Sequence, residues 1–295
     1  MATTTFSVPT QWSSDATFRT TCSAINTAIV SLGIVQTSDT GQINWTTITK
    51  PAAINTYAGY EMYRFNDSLQ STNPVYFKLS YYSNAYSTGT GLLLWIQAGQ
   101  GTDGAGNLTG NVSQTLSMWC NSSENVTRTS YASGSTNRLA MSLWPTSTVS
   151  NYWYVFGIER THDSTGADIG AGVYMFTGSY GVGGQSQYLP LGTPTTPLPP
   201  AVGGGWYCST PLSGSGVLSG NTYTYPIKVF TPLESLPSLN FLHYLNPDIT
   251  GGTTVSITCY DGTARSYYAG GFAYGTGYLC YANSNTTTCL LMRYD

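Results

Sequence analysis

The sequence predicts a mainly β protein, a β-sandwich or jelly-roll-like body with one N-terminal helix. Two observations carry this. From Gly41 onward, runs rich in Tyr, Trp, Val, Ile and Thr alternate with clusters of Gly, Asn, Asp and Ser, the rhythm of short strands and turns. Only Asp15 to Leu32 sets its apolar residues at helical steps, through Phe18, Cys22, Ile25 and Ile29.

The helix has its punctuation in place: Ser13 or Ser14 can cap its start, and Gly33 stops it. The strands expected after it are Val75 to Tyr82, Gly91 to Gln97, Ser113 to Cys120, Arg138 to Trp144, Tyr152 to Glu159, Gly172 to Phe176, Tyr223 to Phe230, Thr254 to Tyr260, Ser266 to Phe272 and Thr288 to Arg293. These exceed one sheet. Tyr152 to Ile158 is apolar without alternation, which predicts a central strand covered on both faces. Gly99 to Asn107 reads as a long exposed loop, and Gly181 to Gln185 as a flexible turn. No helix follows either run, so GQGTDG is not a phosphate cradle.

Five prolines, Pro190, Pro194, Pro197, Pro199 and Pro200, stiffen the stretch after Leu189. The expected organisation is a helix plus main β domain over 1–190, a Pro-rich linker or crossing loop over 191–202, and a C-terminal β domain over 203–295.

Composition narrows function. Charged residues make up 8% of the chain, about a third of the roughly 25% usual in soluble domains. A net charge of -3 leaves no basic surface for a phosphate backbone, so nucleic acid is not an expected partner. An aromatic content of 14% is far from the composition of disordered chains. The opening Met1-Ala2-Thr3-Thr4-Thr5-Phe6 lacks the basic and apolar regions of a cleaved secretory signal. The longest apolar run, Gly91 to Ala98, is strand-sized, so no membrane insertion is expected. With cytosolic synthesis, Cys22, Cys120, Cys208, Cys259, Cys280 and Cys289 are expected as buried thiols. No CxxC spacing suggests zinc; Cys280 and Cys289 flank a turn-rich segment and could face each other across a hairpin.

Signs of catalysis are sparse. The one local cluster of ionisable groups, Glu159-Arg160-Thr161-His162-Asp163 with Asp168, matches a solvated hairpin better than a calcium loop, which needs a fuller alternating oxygen set. The other histidine, His243, sits among apolar residues and reads as a packed side chain. There is no GxSxG elbow and no HExxH, so no enzyme is expected and no cofactor or metal is required.

Aromatics offer more. Tyr81, Tyr82 and Tyr86 in one segment, Tyr267 and Tyr268 in another, and Trp206 are candidate contacts for a ligand or another subunit, because such rings give contact area at low entropy cost. Glu61, Arg64 and Asp67 alternate with Tyr60, Tyr63 and Phe65, and predict an ion-pair cluster at a strand-to-turn corner. Lys78, in an otherwise apolar strand, is expected to reach solvent or one of those acids.

Four segments taken in order carry a resemblance: Asp39-Thr40-Gly41-Gln42-Ile43-Asn44-Trp45, then Gly59 to Gln70, then Pro74 to Leu79, then the GTDGAGNLTG run at 101–110. Over roughly the first 115 residues, with the opening helix, the chain resembles structural proteins of tailed bacteriophage particles. The resemblance implies a virion protein made in the host bacterial cytoplasm and held by contacts with copies of itself and other virion proteins. Tail, baseplate or fibre is the expected position. A capsid decoration protein and a carbohydrate- or receptor-binding module for host surface glycan are the alternatives. It transfers no catalytic residues.

Overall fold

The computed structural model describes residues 1–9, 11–83, 91–120, 127–143, 154–162, 167–179, 183–191, 216–218, 222–230, 235–245, 254–258, 264–273 and 288–293. In chain order these form β1 (Ala2–Pro9), α1 (Asp15–Ser31), β2 (Val35–Gln36), β3 (Tyr57–Arg64), a 3-10 turn (Ser68–Ser71), β4 (Tyr76–Ser83), β5 (Leu92–Thr102), β6 (Leu108–Val112), β7 (Leu116–Cys120), β8 (Thr127–Ser135), β9 (Arg138–Leu143), β10 (Tyr154–His162), β11 (Asp168–Ser179) and β12 (Gly183–Pro190). Then follow β13 (Gly216–Leu218), β14 (Thr222–Phe230), β15 (Ser235–Leu245), β16 (Thr254–Thr258), β17 (Ala264–Ala273) and β18 (Thr288–Arg293).

The protein is mainly β, a sandwich with one helix near its N-terminus. The described strands make three antiparallel sheets. The first runs β2-β3-β4-β5-β6, with β7 pairing the front half of β5. The middle sheet runs β1-β8-β9-β10-β11-β12, and the third β13-β14-β15-β18-β17-β16. Neighbours in chain order are mostly neighbours in the sheet; the exceptions are β1 beside β8, β7 beside β5 and β15 beside β18, the last giving the Greek-key order β15-β18-β17-β16.

The pleat decides what is buried. From the first sheet, Tyr63, Phe77, Leu79, Tyr81, Leu92, Leu94 and Ile96 point inward, and they share one core with Ala132, Leu139, Met141, Phe156, Ile158, Val173 and Met175 of the middle sheet. The opposite face of the middle sheet is buried as well, through Ala140, Val155, Tyr174 and Phe176. Strands of the third sheet approach β9 and β10 there. This bears out the expectation of a central strand covered on both faces: β10 lies inside the sheet order, and Val155, Phe156 and Ile158 are all fully buried.

Helix α1 joins an edge strand of the middle sheet, β1, to an edge strand of the first, β2. It thereby closes one open side of the sandwich. Phe18, Cys22, Ile25, Ala28 and Ile29 form the stripe it buries. Ser14 is the cap: its Oγ accepts from Thr17 N–H at 3.2 Å, and the Thr17 hydroxyl oxygen accepts from Ser14 N–H at 3.0 Å. Leu32 and Gly33 N–H groups close the last turn onto Ile29 and Val30 carbonyls, with Gly33 at a φ of +94°.

Each strand expected from the sequence is present, with ends shifted by up to a few residues. Two loop expectations are corrected. Residues 99–102 continue β5, so only Asp103 to Asn107 forms the turn, and Gly183 to Gln185 open β12. In β5 glycine sits in the strand because a neighbour approaches closely: a Cβ on Gly101 would meet Thr109 Oγ1 at 2.7 Å. The linker expectation for 191–202 and the Cys280–Cys289 hairpin lie largely outside the described residues. The first two sheets use only residues up to 190 and the third only 216–293.

Candidate functional site

The outer face of the first sheet carries the candidate surface. Strand register lays it out in rows: Met62, Lys78 and Gln97; then Tyr60, Ser80 and Trp95; then Tyr57, Tyr82 and Leu93. Half of this face is roofed. Residues 37–43 run along the free edge of β3, with Thr37 N–H donating to the Met62 carbonyl at 2.9 Å and Ile43 N–H to the Tyr60 carbonyl at 3.0 Å. The turn at Asp103 to Asn107 folds over the same corner. Tyr60 donates its hydroxyl to the Thr40 carbonyl, and Asp39 accepts from the Thr102 hydroxyl and from Gly106 N–H.

Lys78 closes this frame. Its Nζ donates to the Gly106 carbonyl at 2.8 Å and stands 4.5 Å from the centre of the Tyr60 ring. Burial lowers its pKa below the ordinary lysine value, with Asp103 and Asp39 pulling the other way. Lys78 thus stands half-buried on the outward side of the sheet, as one of its two expected placements had it, with its ammonium on a carbonyl and not on Glu61. Asp103 is itself held below the usual carboxylate range by hydrogen bonds from Asn107 and Ala105.

The unroofed half presents a row of rings. Tyr82 lies 4.2 Å from Trp95, centre to centre, and 5.2 Å from Tyr57, in tilted contacts. Tyr57 is exposed, while Tyr82 and Trp95 are half-buried. The Tyr57 hydroxyl is pushed up to about 12, chiefly by burial and then by Tyr82 and Tyr60. Such a row stays neutral through the physiological range and offers ring faces and hydroxyls to whatever lies on it.

The sequence candidates separate. Tyr82 is on this face, but Tyr81 points the other way, is fully buried, and donates its hydroxyl to Glu61 at 2.6 Å. Tyr81 as a surface contact is corrected by the strand period, which sends adjacent residues to opposite faces. Tyr267 is also fully buried. Tyr268 lies on β17, but its side chain, like Tyr86 and Trp206, lies outside the described residues. Tyr57 and Trp95 were missed; Trp95 alternates with Leu94 and Ile96, and that alternation was the available sign.

Glu61, Arg64 and Asp67 do not cluster. Glu61 points into the core beneath α1, where its carboxylate accepts from Asn26, from Trp45 Nε1 at 2.6 Å, from Tyr63 at 2.8 Å and from Tyr81. Burial raises its pKa above the ordinary value, against the downward pull of those four donors. Tyr63 and Tyr81 are in turn driven well above the ordinary phenol value by burial and by Glu61. Arg64 donates to the Phe65 carbonyl at 3.3 Å. Asp67 pairs instead with Arg160, a partner 93 residues away. The chain spacing showed acids and a base together, but the pleat and the corner sent each to a different neighbour.

Among the described residues, no group of His, Cys, Asp and Glu has the arrangement to hold a metal ion. No helix in the described part is long and apolar enough to cross a membrane. No protein-family model, curated protein or solved structure matches the chain.

Proposed function

We propose that the chain is a structural subunit of a tailed bacteriophage particle, in the tail, baseplate or fibre, working through contacts with copies of itself and other virion proteins. One observation carries this reading. The four segments that resemble such proteins converge on one frame: Asp39 and Thr40, Tyr60, Lys78, and Gly104 with Gly106 are bonded to one another at a single corner of the first sheet. That frame stands beside the row of Tyr57, Tyr82 and Trp95.

Energetics favour a contact role for such a surface. Charges buried at an interface must be paired or they cost free energy, and the charged side chains nearest this row are already engaged: Lys78 on a carbonyl, Asp39 on a hydroxyl and an amide, Glu61 inside the core. A partner laid over the rings gains apolar area and few unpaired charges. A density map of intact particles tests the reading and shows position and copy number together; finding the chain on the outer shell makes it a decoration protein, and absence from the particles overturns the proposal.

The ring row also favours a second reading, a glycan-binding module, since sugars stack on aromatic faces. Binding on a glycan array that disappears in Tyr82→Ala and Trp95→Ala selects it; an array without binding removes it.

A further inference from the structure

We infer that the row of Tyr57, Tyr82 and Trp95 binds an uncharged sugar unit laid across the rings, and that it excludes acidic sugars. This rests on the glycan-binding reading of the face and adds the class of ligand to it.

Ring spacing fixes how a ligand can lie. Carbon atoms in contact stand about 3.5–4.0 Å apart, so a group inserted between two rings needs roughly twice that separation. The centres of Tyr82 and Trp95 are 4.2 Å apart and those of Tyr57 and Tyr82 5.2 Å. The rings therefore fill the slots between themselves, and an extended proline-rich peptide, which docks in aromatic-lined grooves, is a poor fit. The top of the row stays open. Tyr57 is 48% exposed, while Leu93 and Ser80, in the same cross-strand rows, are buried and give the rings a firm floor. A flat C–H face laid over the rings matches this shape.

Polar atoms border the ring faces. Among the described residues the Tyr57 and Tyr82 hydroxyls and Trp95 Nε1 have no hydrogen-bond partner, and Tyr82 Oη and Trp95 Nε1 are not buried. Burial, chiefly, pushes the Tyr57 hydroxyl up to about 12 and also raises that of Tyr82, so both keep their protons at neutral pH and can donate. A purely apolar partner would cover these donors without pairing them, which costs free energy. A sugar presents what the row asks for in one unit: a C–H face for the rings and hydroxyls at its rim for the three donors.

Charge then selects among sugars. Lys78, on the same face, is held by the Gly106 carbonyl and the Tyr60 ring, and Arg64 donates to the Phe65 carbonyl. Asp39 and Asp103 lie at the neighbouring corner, where they add to the effect of burial in raising the Tyr60 pKa. A carboxylate, phosphate or sulfate on the sugar meets these acids and finds the lysine already engaged, a mismatch of like charge.

A glycan array that carries uncharged oligosaccharides beside sialylated, uronate-containing and phosphorylated ones tests this with the full chain. Binding should be confined to the uncharged set and should not change with added salt. Titration of the best uncharged oligosaccharide should show affinity about two- to tenfold weaker in Tyr82→Ala and in Trp95→Ala. Tyr57→Phe keeps the ring and loses only its hydroxyl; it should also weaken binding, and it carries the test if the alanine variants disturb folding. Binding confined to acidic sugars, yet lost in the ring variants, overturns the inference and leaves the glycan reading standing. Uncharged sugars bound equally well by all three variants overturn the ring site. An array without binding removes the glycan reading, and this inference with it.

Discussion

Arg160 of β10 reaches into the core and forks onto Asp67, its Nη2 2.9 Å from Oδ1 and its Nε on Oδ2, while Nη1 donates to the Asn73 carbonyl at 2.9 Å. The guanidinium is fully buried and lies 5.6 Å from the Phe65 ring. One charged side chain of the middle sheet thus holds the whole corner between β3 and β4, and it closes the end of the sandwich. Asp67→Ala removes the partner and strands a buried charge, which costs about 3–5 kcal/mol. Arg160→Met strands the Asp67 carboxylate and the Asn73 carbonyl instead, but the Asp67 side chain keeps 9% exposure against 0% for Arg160, so its cost should be the smaller of the two. Urea unfolding midpoints of the two variants check the order; losses below about 1 kcal/mol in both would show that the pairing does not hold the corner.

Glu61 makes stability depend on pH, and the sign follows from its burial. Its folded pKa lies above the unfolded value, so the folded state holds the proton more tightly in the window between them. Its contribution is fully present below the ordinary carboxylate pKa and is lost as pH rises through the elevated one. Glu61→Gln keeps the shape, has no such titration, and should flatten this part of the pH profile. Urea unfolding of both chains from about pH 4 to about pH 8 measures it, as the difference between them. Glu61→Ala is a different experiment: it leaves Trp45, Tyr63 and Tyr81 without their acceptor, at about 1–3 kcal/mol for each donor left buried and unpaired, while Asn26 keeps Gln36 Oε1 at 3.0 Å.

The fold was legible where local pattern and burial agree. The helix from Asp15 showed itself because one stripe of it is apolar, and β10 because an interior strand is apolar on both faces. Strand β1, with Ala-Thr-Thr-Thr-Phe-Ser-Val, was passed over because its uncharged polar residues look like a loop until an edge position explains them. Strand β3 was passed over because Glu61 stands on its buried face, and only the four donors supplied by α1, the segment before β3, β3 itself and β4 make that placement affordable. The site was less legible than the fold for the same reason. A run such as Tyr81-Tyr82 announces aromatics, but which of the two faces outward depends on register, and register is set by partners far away in the chain.

Ser14, not Ser13, caps the helix, and the two can be told apart by substitution. Ser14→Ala removes the acceptor for Thr17 N–H and should lower stability by about 0.5–2 kcal/mol. Ser13 is exposed, and no side-chain cap bond runs to it, so Ser13→Ala should change stability by less than about 0.5 kcal/mol. Thermal melts of the two variants side by side decide it.

Gly106 is the hinge of the frame over the first sheet, and its requirement for glycine has two separable causes. Its φ of +89° is unfavourable for any residue with a Cβ, and a Cβ there would stand 2.2 Å from the Tyr60 ring. Gly104, in the same turn, shares the first cause at φ +76° but has open space where a Cβ would be. Gly104→Ala should therefore cost only the left-handed strain, about 1–2 kcal/mol. Gly106→Ala adds the clash, which displaces Tyr60 from the Thr40 carbonyl and from Lys78, and overpacking of this kind costs about 1–3 kcal/mol more. In a Tyr60→Ala background the clash is gone, so Gly106→Ala should fall to the cost of Gly104→Ala. That double-mutant cycle, measured by urea unfolding, isolates the ring contact from the backbone strain. An undiminished cost of Gly106→Ala without the ring would mean that backbone strain alone dictates glycine there, and that Tyr60 does not organise the corner.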